Sequence, residues 1–365
     1  MGLRHIAIVL TILLYIQNGF GQDVHFSYYQ FTPLDVNPAN AGAFYGSYRV
    51  SGIYSDKYAS ITGRPYRNFN INLDAPIIRG IRKQDWIGIG VAALQIPNAN
   101  TSGFHAGVDN KNPISGTTQS LSGLKIGLAY HLSLDKKQTS ILTLGAQYSI
   151  GSRNYSQLGN LSTRALLEGL KDNDWNKFNL SVDQNSTGTF SISKAIKDLN
   201  FGILYNKRQK KSDLRLGFAI KNVNTSSNSL FENNPNDGYE RSIGIHVHGA
   251  YDMALNEKIN ITPGFFYYSY GKANALNINT QAMYNVNPEK ELKIGAGLGL
   301  RNLRSIMTMI GAEYKGIKMG FDFDIDITSL APESNGVGGY EICVGYIGKI
   351  YKRPKVKEVI LCPRL

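Results

Sequence analysis

Cysteine, tryptophan and histidine are scarce in this chain: two, two and six in 365 residues. Two cysteines exclude a disulfide scaffold and any four-thiolate zinc site. After residue 16 no apolar run approaches the roughly 18 residues that a membrane helix needs, which excludes a helical bundle in a bilayer. No G-x-S-x-G nucleophile motif is present. His246 and His248 share one strand face, but no further His or Cys lies near them in sequence. They read as two polar interior residues rather than metal ligands. Negative charge is also short, with 27 acidic against 39 basic residues and a net charge of +12. Nucleic-acid binding would need a basic face interleaved with stacking aromatics; here the cations collect in turns. The expectation is a protein that is not an enzyme and carries no cofactor or metal.

Alternation is abundant. Met319, Phe321, Phe323, Ile325 and Ile327 take one parity, and Gly320, Asp322, Asp324 and Asp326 the other. In a strand the two parities point to opposite faces. Leu124, Ile126, Leu128 and Tyr130 oppose Lys125, Gly127 and His131 in the same way. Fourteen such segments run from Tyr48 to Tyr346, bounded by Gly, Asn, Asp and Pro clusters. The first, sixth and ninth have ambiguous parity. Short connections at 78–84, 135–138, 208–212, 255–258, 287–291 and 315–317 mostly alternate with longer ones at 97–120, 153–198, 224–240 and 328–337. Short turns on one side and long loops on the other mark an outer-membrane barrel. The mean hydropathy of −0.22 is compatible, because half of each barrel strand is polar. The 22 tyrosines suit the two membrane interfaces. The fold expected is all-β: a transmembrane antiparallel β-barrel of about 14 strands, with long external loops and short periplasmic turns. A soluble two-sheet protein is the competing fold.

Four regions follow. Residues 1–21 read as a secretory signal peptide, with Arg4 and His5 before an apolar run and Gly19 and Gly21 before the cut. Residues 22–47 alternate poorly and read as an N-terminal periplasmic segment that either enters and partly plugs the barrel or lies as a disordered leader outside it. Residues 48–348 form the barrel, and 349–365 a basic periplasmic tail. The interior parity is rich in glycine (Gly127, Gly145, Gly202, Gly217, Gly320 and Gly345 among others), which admits close approach of another backbone. Leu161, Ala165, Leu166 and Leu170 recur at helical spacing, predicting a short helix or ordered loop over 158–175. Asp322, Asp324 and Asp326 form an acidic ladder. With Glu313 and Glu341 it offers either a calcium site or, preferred here, salt bridges to Lys293, Arg301 or Lys318. Glu313 falls on the less polar parity of its strand. In an oxidising periplasm a Cys343–Cys362 disulfide competes with two separate thiols.

The two ends carry a resemblance. Gln22–Gln30 (QDVHFSYYQ) with Pro33–Gly42 (PLDVNPANAG), Tyr48-Arg49-Val50 through Tyr54, Gly338–Ile342 (GGYEI) and Cys362–Leu365 (CPRL) resemble the PorP/SprF family across the mature chain. That resemblance implies an outer-membrane barrel of the Bacteroidetes type IX secretion and gliding machinery. Such a barrel is expected to bind, and help to secrete or anchor, a cell-surface adhesin through its C-terminal sorting domain. Partners would be that secreted protein, periplasmic or lipoprotein components of the machinery, and the lipid bilayer. Phe104, Trp175, Phe178, Phe231 and Tyr239 in the external loops are the expected anchors on the secreted side. Lys210, Lys211, Lys352 and Arg353 are those on the periplasmic side. An outer-membrane channel for a hydrophobic small solute is the alternative function.

Overall fold

Met319, Phe321 and Ile325 stand 36–50% exposed, while Asp322, Asp324 and Asp326 between them are at most 4% exposed. A protein surrounded by water would reverse that arrangement. The computed structural model describes residues 26–57, 66–82, 84–100, 117–158, 189–224, 242–271, 273–329 and 331–350. Its strands are β1 (Tyr48–Lys57), β2 (Tyr66–Arg79), β3 (Trp86–Asn100), β4 (Thr117–Ser133), β5 (Ser140–Leu158), β6 (Thr189–Arg208) and β7 (Ser212–Lys221). They continue as β8 (Gly244–Ala254), β9 (Ile259–Tyr270), β10 (Ala273–Asn287), β11 (Leu292–Arg301), β12 (Ser305–Tyr314), β13 (Ile317–Asp326) and β14 (Val337–Gly348). Each pairs antiparallel with its sequence neighbours, and β1 pairs with β14 from Tyr48↔Gly348 to Lys57↔Gly339, closing a fourteen-stranded barrel. Closure leaves no sheet edge unpaired, which is the condition for strands to stand in hydrocarbon.

The outer wall is apolar: Leu128 in β4, Leu144 in β5, Ile203 in β6, Leu298 in β11, Ile310 in β12 and Val344 in β14 are all 46–65% exposed. Near mid-barrel, Leu298→Arg is expected to destabilise the protein by about 2–4 kcal/mol. The check is a lower temperature for loss of the fast-migrating folded band on gels run with and without heating.

The end that carries Tyr48 and Gly348 also carries the short turns, and is therefore the periplasmic end. Lys315 and Gly316 adopt φ of 47° and 84°, the left-handed pair of a two-residue hairpin. Between β2 and β3, the Tyr130 hydroxyl (2.7 Å) and the Ser133 amide (3.0 Å) donate to the Asp85 carboxylate. Those bonds, the tyrosine's foremost, hold the Asp85 carboxyl below the usual carboxylate range.

Two loop boundaries differ from the sequence reading. Strand pairing continues to Asn100 and from Thr118 across β3–β4, and to Leu158 and from Thr189 across β5–β6. The expected loops 97–120 and 153–198 thus begin and end as strand. The cause is hairpin register: Ser152, Asn154 and Ser156, on the outward parity of β5, are not the apolar residues of a lipid-facing wall, yet their backbones keep the ladder beyond it. The helix expected at 158–175 lies outside the described residues from 159 onward. A single-turn helix, α1 (Ala331–Ser334), stands within the loop between β13 and β14.

Candidate functional site

Inside the barrel lies the chain's own segment from Phe26 to Ser47. Pro33 and Pro38 start two tight turns, one helical (Pro33–Val36) and one 3-10 (Pro38–Asn40). Asn37 between them caps the second, accepting from the Ala39 amide at 2.9 Å. Leu34, Asn37, Ala39 and Ala41 are fully buried, as completely as any residue in the protein. The segment runs from Ser47, bonded to Gly348 at the periplasmic end, to Ser27, bonded to Glu341 near the external ends of β13 and β14.

Its backbone polar groups are met by the wall, as buried amides require. Gln147 of β5 donates to the Leu34 carbonyl at 3.1 Å. The Asn37 amide donates to the carbonyls of Ile203 (3.0 Å) and Phe218 (3.2 Å) and contacts His248 Nε2 at 3.2 Å. His246 donates from Nδ1 to the Val36 carbonyl (2.9 Å) and accepts from Tyr270 at Nε2 (2.8 Å). On the opposite wall His131 donates from Nε2 to the Ala41 carbonyl (2.8 Å) and accepts from Thr143 at Nδ1 (2.9 Å). A carbonyl only accepts, which assigns these tautomers. Trp86 stacks on His131 at 4.5 Å and donates to the Gly42 carbonyl. Asp74 of β2 accepts from the Gly42 amide at 2.7 Å and is held by a bidentate Arg49, whose guanidinium also reaches the Asn40 carbonyl. Lys125 pairs with Asp35. The two lumen histidines noted in the sequence are thus grips on this segment.

Glycine permits the contact. A Cβ at Gly145 would overlap the Ala39 backbone nitrogen, and one at Gly88 the Ala41 carbonyl oxygen. Gly202 faces Asn37 and Gly320 faces Tyr28. Apolar side chains fill what remains. Phe26 and Tyr28 pack with Ile53, Met309 and Cys343, and Tyr29 and Val36 with Phe266 and Tyr268. Burial pushes the Tyr29 hydroxyl up to about 12, so it stays neutral. The Cys343 thiol is buried and donates to the Gly320 carbonyl at 3.4 Å; Cys362 lies outside the described residues.

Within the acidic ladder Asp324, with Glu341 beside it, forms a knot of opposite charges; Asp322 and Asp326 make no ion pair among the described residues. Arg301 and Lys57 both pair with Asp324, and Lys57 also reaches Glu341 at 2.9 Å. Glu341 accepts from the amides of Ser27 (2.9 Å) and Tyr28 (3.1 Å). Carboxylate oxygens of Asp322, Asp324 and Glu341 lie within 4.8 Å of one another; two cations already occupy their flank. Glu313 faces inward on β12, beneath the apolar Met307 and Met309, and pairs with Lys293 (3.2 Å) and Lys318 (2.6 Å). Arg301, Lys293 and Lys318 were expected partners; Lys57 was not.

Below the segment a vestibule of 660 Å³ opens to the periplasm. Among the described residues its lining holds seven cationic side chains against three anionic ones. Lys210 and Lys211 are exposed on the adjoining β6–β7 turn. Phe104, Trp175, Phe178, Phe231, Tyr239, Lys352 and Arg353 lie outside the described residues. Sequence reasoning missed Arg49, Asp74, Trp86, His131 and Gln147. For Trp86, His131 and Gln147 the available signal was a bulky polar residue beside Gly88, Gly127, Ala129 and Gly145 on the inward parity.

Among solved structures, the toluene transporter TodX of P. putida is similar over 87% of this chain and 93% of its own, at 10% identity and a TM-score of 0.53. A TodX deltaS2S3 mutant, described as a monoaromatic hydrocarbon channel, gives 0.52 over 87% and 94%, also at 10% identity. At such identity the likeness is one of fold alone, that of an outer-membrane barrel. No curated protein matches the sequence. The family model described as "Type IX secretion system membrane protein PorP/SprF" matches residues 18–346. With a closed lipid-facing wall and a match over most of its length, this chain is an outer-membrane β-barrel that belongs to the PorP/SprF family of type IX secretion system membrane proteins.

Proposed function

We propose that this barrel is a recognition protein rather than a conduit. It holds a secreted cell-surface protein, an adhesin bearing a C-terminal sorting domain, at the outer membrane. The observation that carries this reading is the filled lumen: Phe26–Ser47 bonds to strands on every side of the barrel and occludes its middle. A wall built around its own chain leaves binding surfaces at the two ends as the working parts. The external loops within 97–120, 153–198, 224–240 and 328–337 are the side for the secreted protein, with Phe104, Trp175, Phe178, Phe231 and Tyr239 as aromatic anchors. The periplasmic rim, with Lys210 and Lys211 and the tail residues Lys352 and Arg353, faces components of the machinery.

TodX is described as a toluene transporter, which favours the hydrophobic-solute channel. Against it stands the inward wall, lined by Asn70, Asn72, Gln147, Asn200, Asn277 and Asn279. An apolar solute gains little from amides.

Affinity purification of the tagged protein in mild detergent, with mass spectrometry of what co-elutes, separates the two. A large cell-surface protein is expected, and Lys210→Glu with Lys211→Glu is expected to reduce co-elution of periplasmic components while sparing it. A bound lipid or hydrocarbon without any secreted protein would overturn the proposal.

A further inference from the structure

We propose that the periplasmic vestibule is a binding site for an extended acidic peptide segment. This deepens the periplasmic half of the reading above and rests on it only for the partner's location.

Seven cations line the cavity, and their neutralisation is uneven. Arg49 is matched by Asp74 at 2.8 Å and Arg208 by Asp213 at 3.4 Å. Lys293 and Lys318 share the one carboxylate of Glu313. Lys137, Lys207 and Arg215 have no carboxylate within ion-pair reach among the described residues, and Asp252 is the only other acid in the lining. Arg215 stands in β7 two residues before Gly217, on the inward parity, below the Asn37–His248 contact. The excess positive charge is therefore inside the cup as well as on its rim. Charges held in a concave, low-dielectric enclosure focus their field on an anion that enters.

Shape and charge select the occupant. The cavity is open to the periplasm, and its 660 Å³ accommodates several residues of extended chain. Phe44, Tyr45 and Trp86 in its lining offer apolar contact between the charges. Lipid headgroups meet the outer wall, whereas Arg215 faces the lumen. The chain's own C-terminal tail is a poor fit: residues 351–365 carry five basic residues and one acidic, and like charges repel. A peptide rich in Asp and Glu, from a periplasmic or exported partner, complements both features. Arginine's fork gives it a bidentate carboxylate contact that a lysine rim alone lacks.

The test is fluorescence polarisation with the purified full-length protein in detergent. The probes are a labelled ten-residue peptide of alternating Asp/Glu and Gly/Ala with one Phe, its Lys-for-acid counterpart, and short-chain phosphatidylglycerol as competitor. The acidic peptide is expected to bind at least about tenfold more tightly than the basic one, and to weaken as salt rises. Arg215→Glu with Lys207→Glu is expected to weaken it by about 10- to 100-fold, with the heat-modifiable folded band retained. Lys258→Glu with Lys290→Glu, outside the cavity, should cost under about threefold. Equal binding of both peptides, equal loss from the two double variants, or complete competition by the lipid would each overturn the proposal. The barrel is assayed alone, so failure here leaves the co-purification result of the preceding section standing, and the reverse.

Discussion

Alanine at Gly88 and Gly145 together is expected to loosen Phe26–Ser47 from the lumen and to expose the Cys343 thiol. The two new methyl groups would collide with the backbone of Ala41 and Ala39. Backbone inside a closed wall has little room to retreat, and overpacking costs about 1–3 kcal/mol per site. Cys343 is 2% exposed and packed beneath Phe26 and Tyr28, so it reports on the segment directly. In a Cys362→Ser background, its labelling by a water-soluble maleimide should rise about 100-fold, since each 1.4 kcal/mol is a factor of ten. Gly127→Ala is the control: its Cβ would meet neighbours only at 3.6 Å or more, and labelling should stay at the starting rate. The barrel should still show its folded band, because its strand ladder is untouched. Equal protection of Cys343 in all three proteins would mean that the segment does not depend on these glycines.

Glu341→Ala is expected to destabilise the folded protein by about 3–5 kcal/mol, the cost of breaking a buried ion pair from one side. Glu341 is fully buried. Its carboxylate receives Lys57 and the amides of Ser27 and Tyr28. Removing it leaves two buried N–H donors unmatched, and Lys57 with Asp324 alone. The midpoint of the heat-induced gel shift should fall by about 10 °C, and Glu341→Gln, which keeps an acceptor, should fall less. Glu313→Ala removes a carboxylate whose side chain is 24% exposed and whose lysine partners are 35% and 49% exposed, and should cost about 1 kcal/mol. If Glu313→Ala and Glu341→Ala lower the midpoint equally, the Glu341 knot is not special to the segment.

The strands were legible because lipid imposes a strict rule. Leu276, Ile278, Ala282 and Tyr284 oppose Asn277, Asn279, Gln281 and Asn285, and in the structure Ile278 and Tyr284 are exposed while Asn277 and Asn279 are buried. The same rule fails in β1, β6 and β9, whose parity was ambiguous. There Ile53, Leu204 and Phe266 face inward and are buried. Inward apolar residues contradict a water-filled lumen, but Ile53 and Phe266 lie against Tyr28 and Tyr29. Met309 in β12 has the same cause, and with Met307 on the same parity it hid the inward orientation of Glu313. The cation partners of the acidic ladder were only partly legible for a related reason. Lys57 lies some 270 residues from Asp324 in sequence, and only the β1–β14 seam brings them together.

The order of amino acids alone determined the compartment of each face: fourteen strands, greasy side out, polar side in, short turns at one end. Solvent acts on every residue of a strand separately, so its preference is written locally and can be read locally. The course of Phe26–Ser47 through the barrel was decided only in three dimensions. Its carbonyls bond to His131, Gln147 and His246, on strands far apart in the chain, and its backbone passes over Gly88 and Gly145. No single one of those residues specifies such a path; the closed wall gathers them around one axis, and the segment takes a route on which the carbonyls of Leu34, Val36 and Ala41 and the amides of Ser27, Tyr28 and Gly42 meet side chains of the wall.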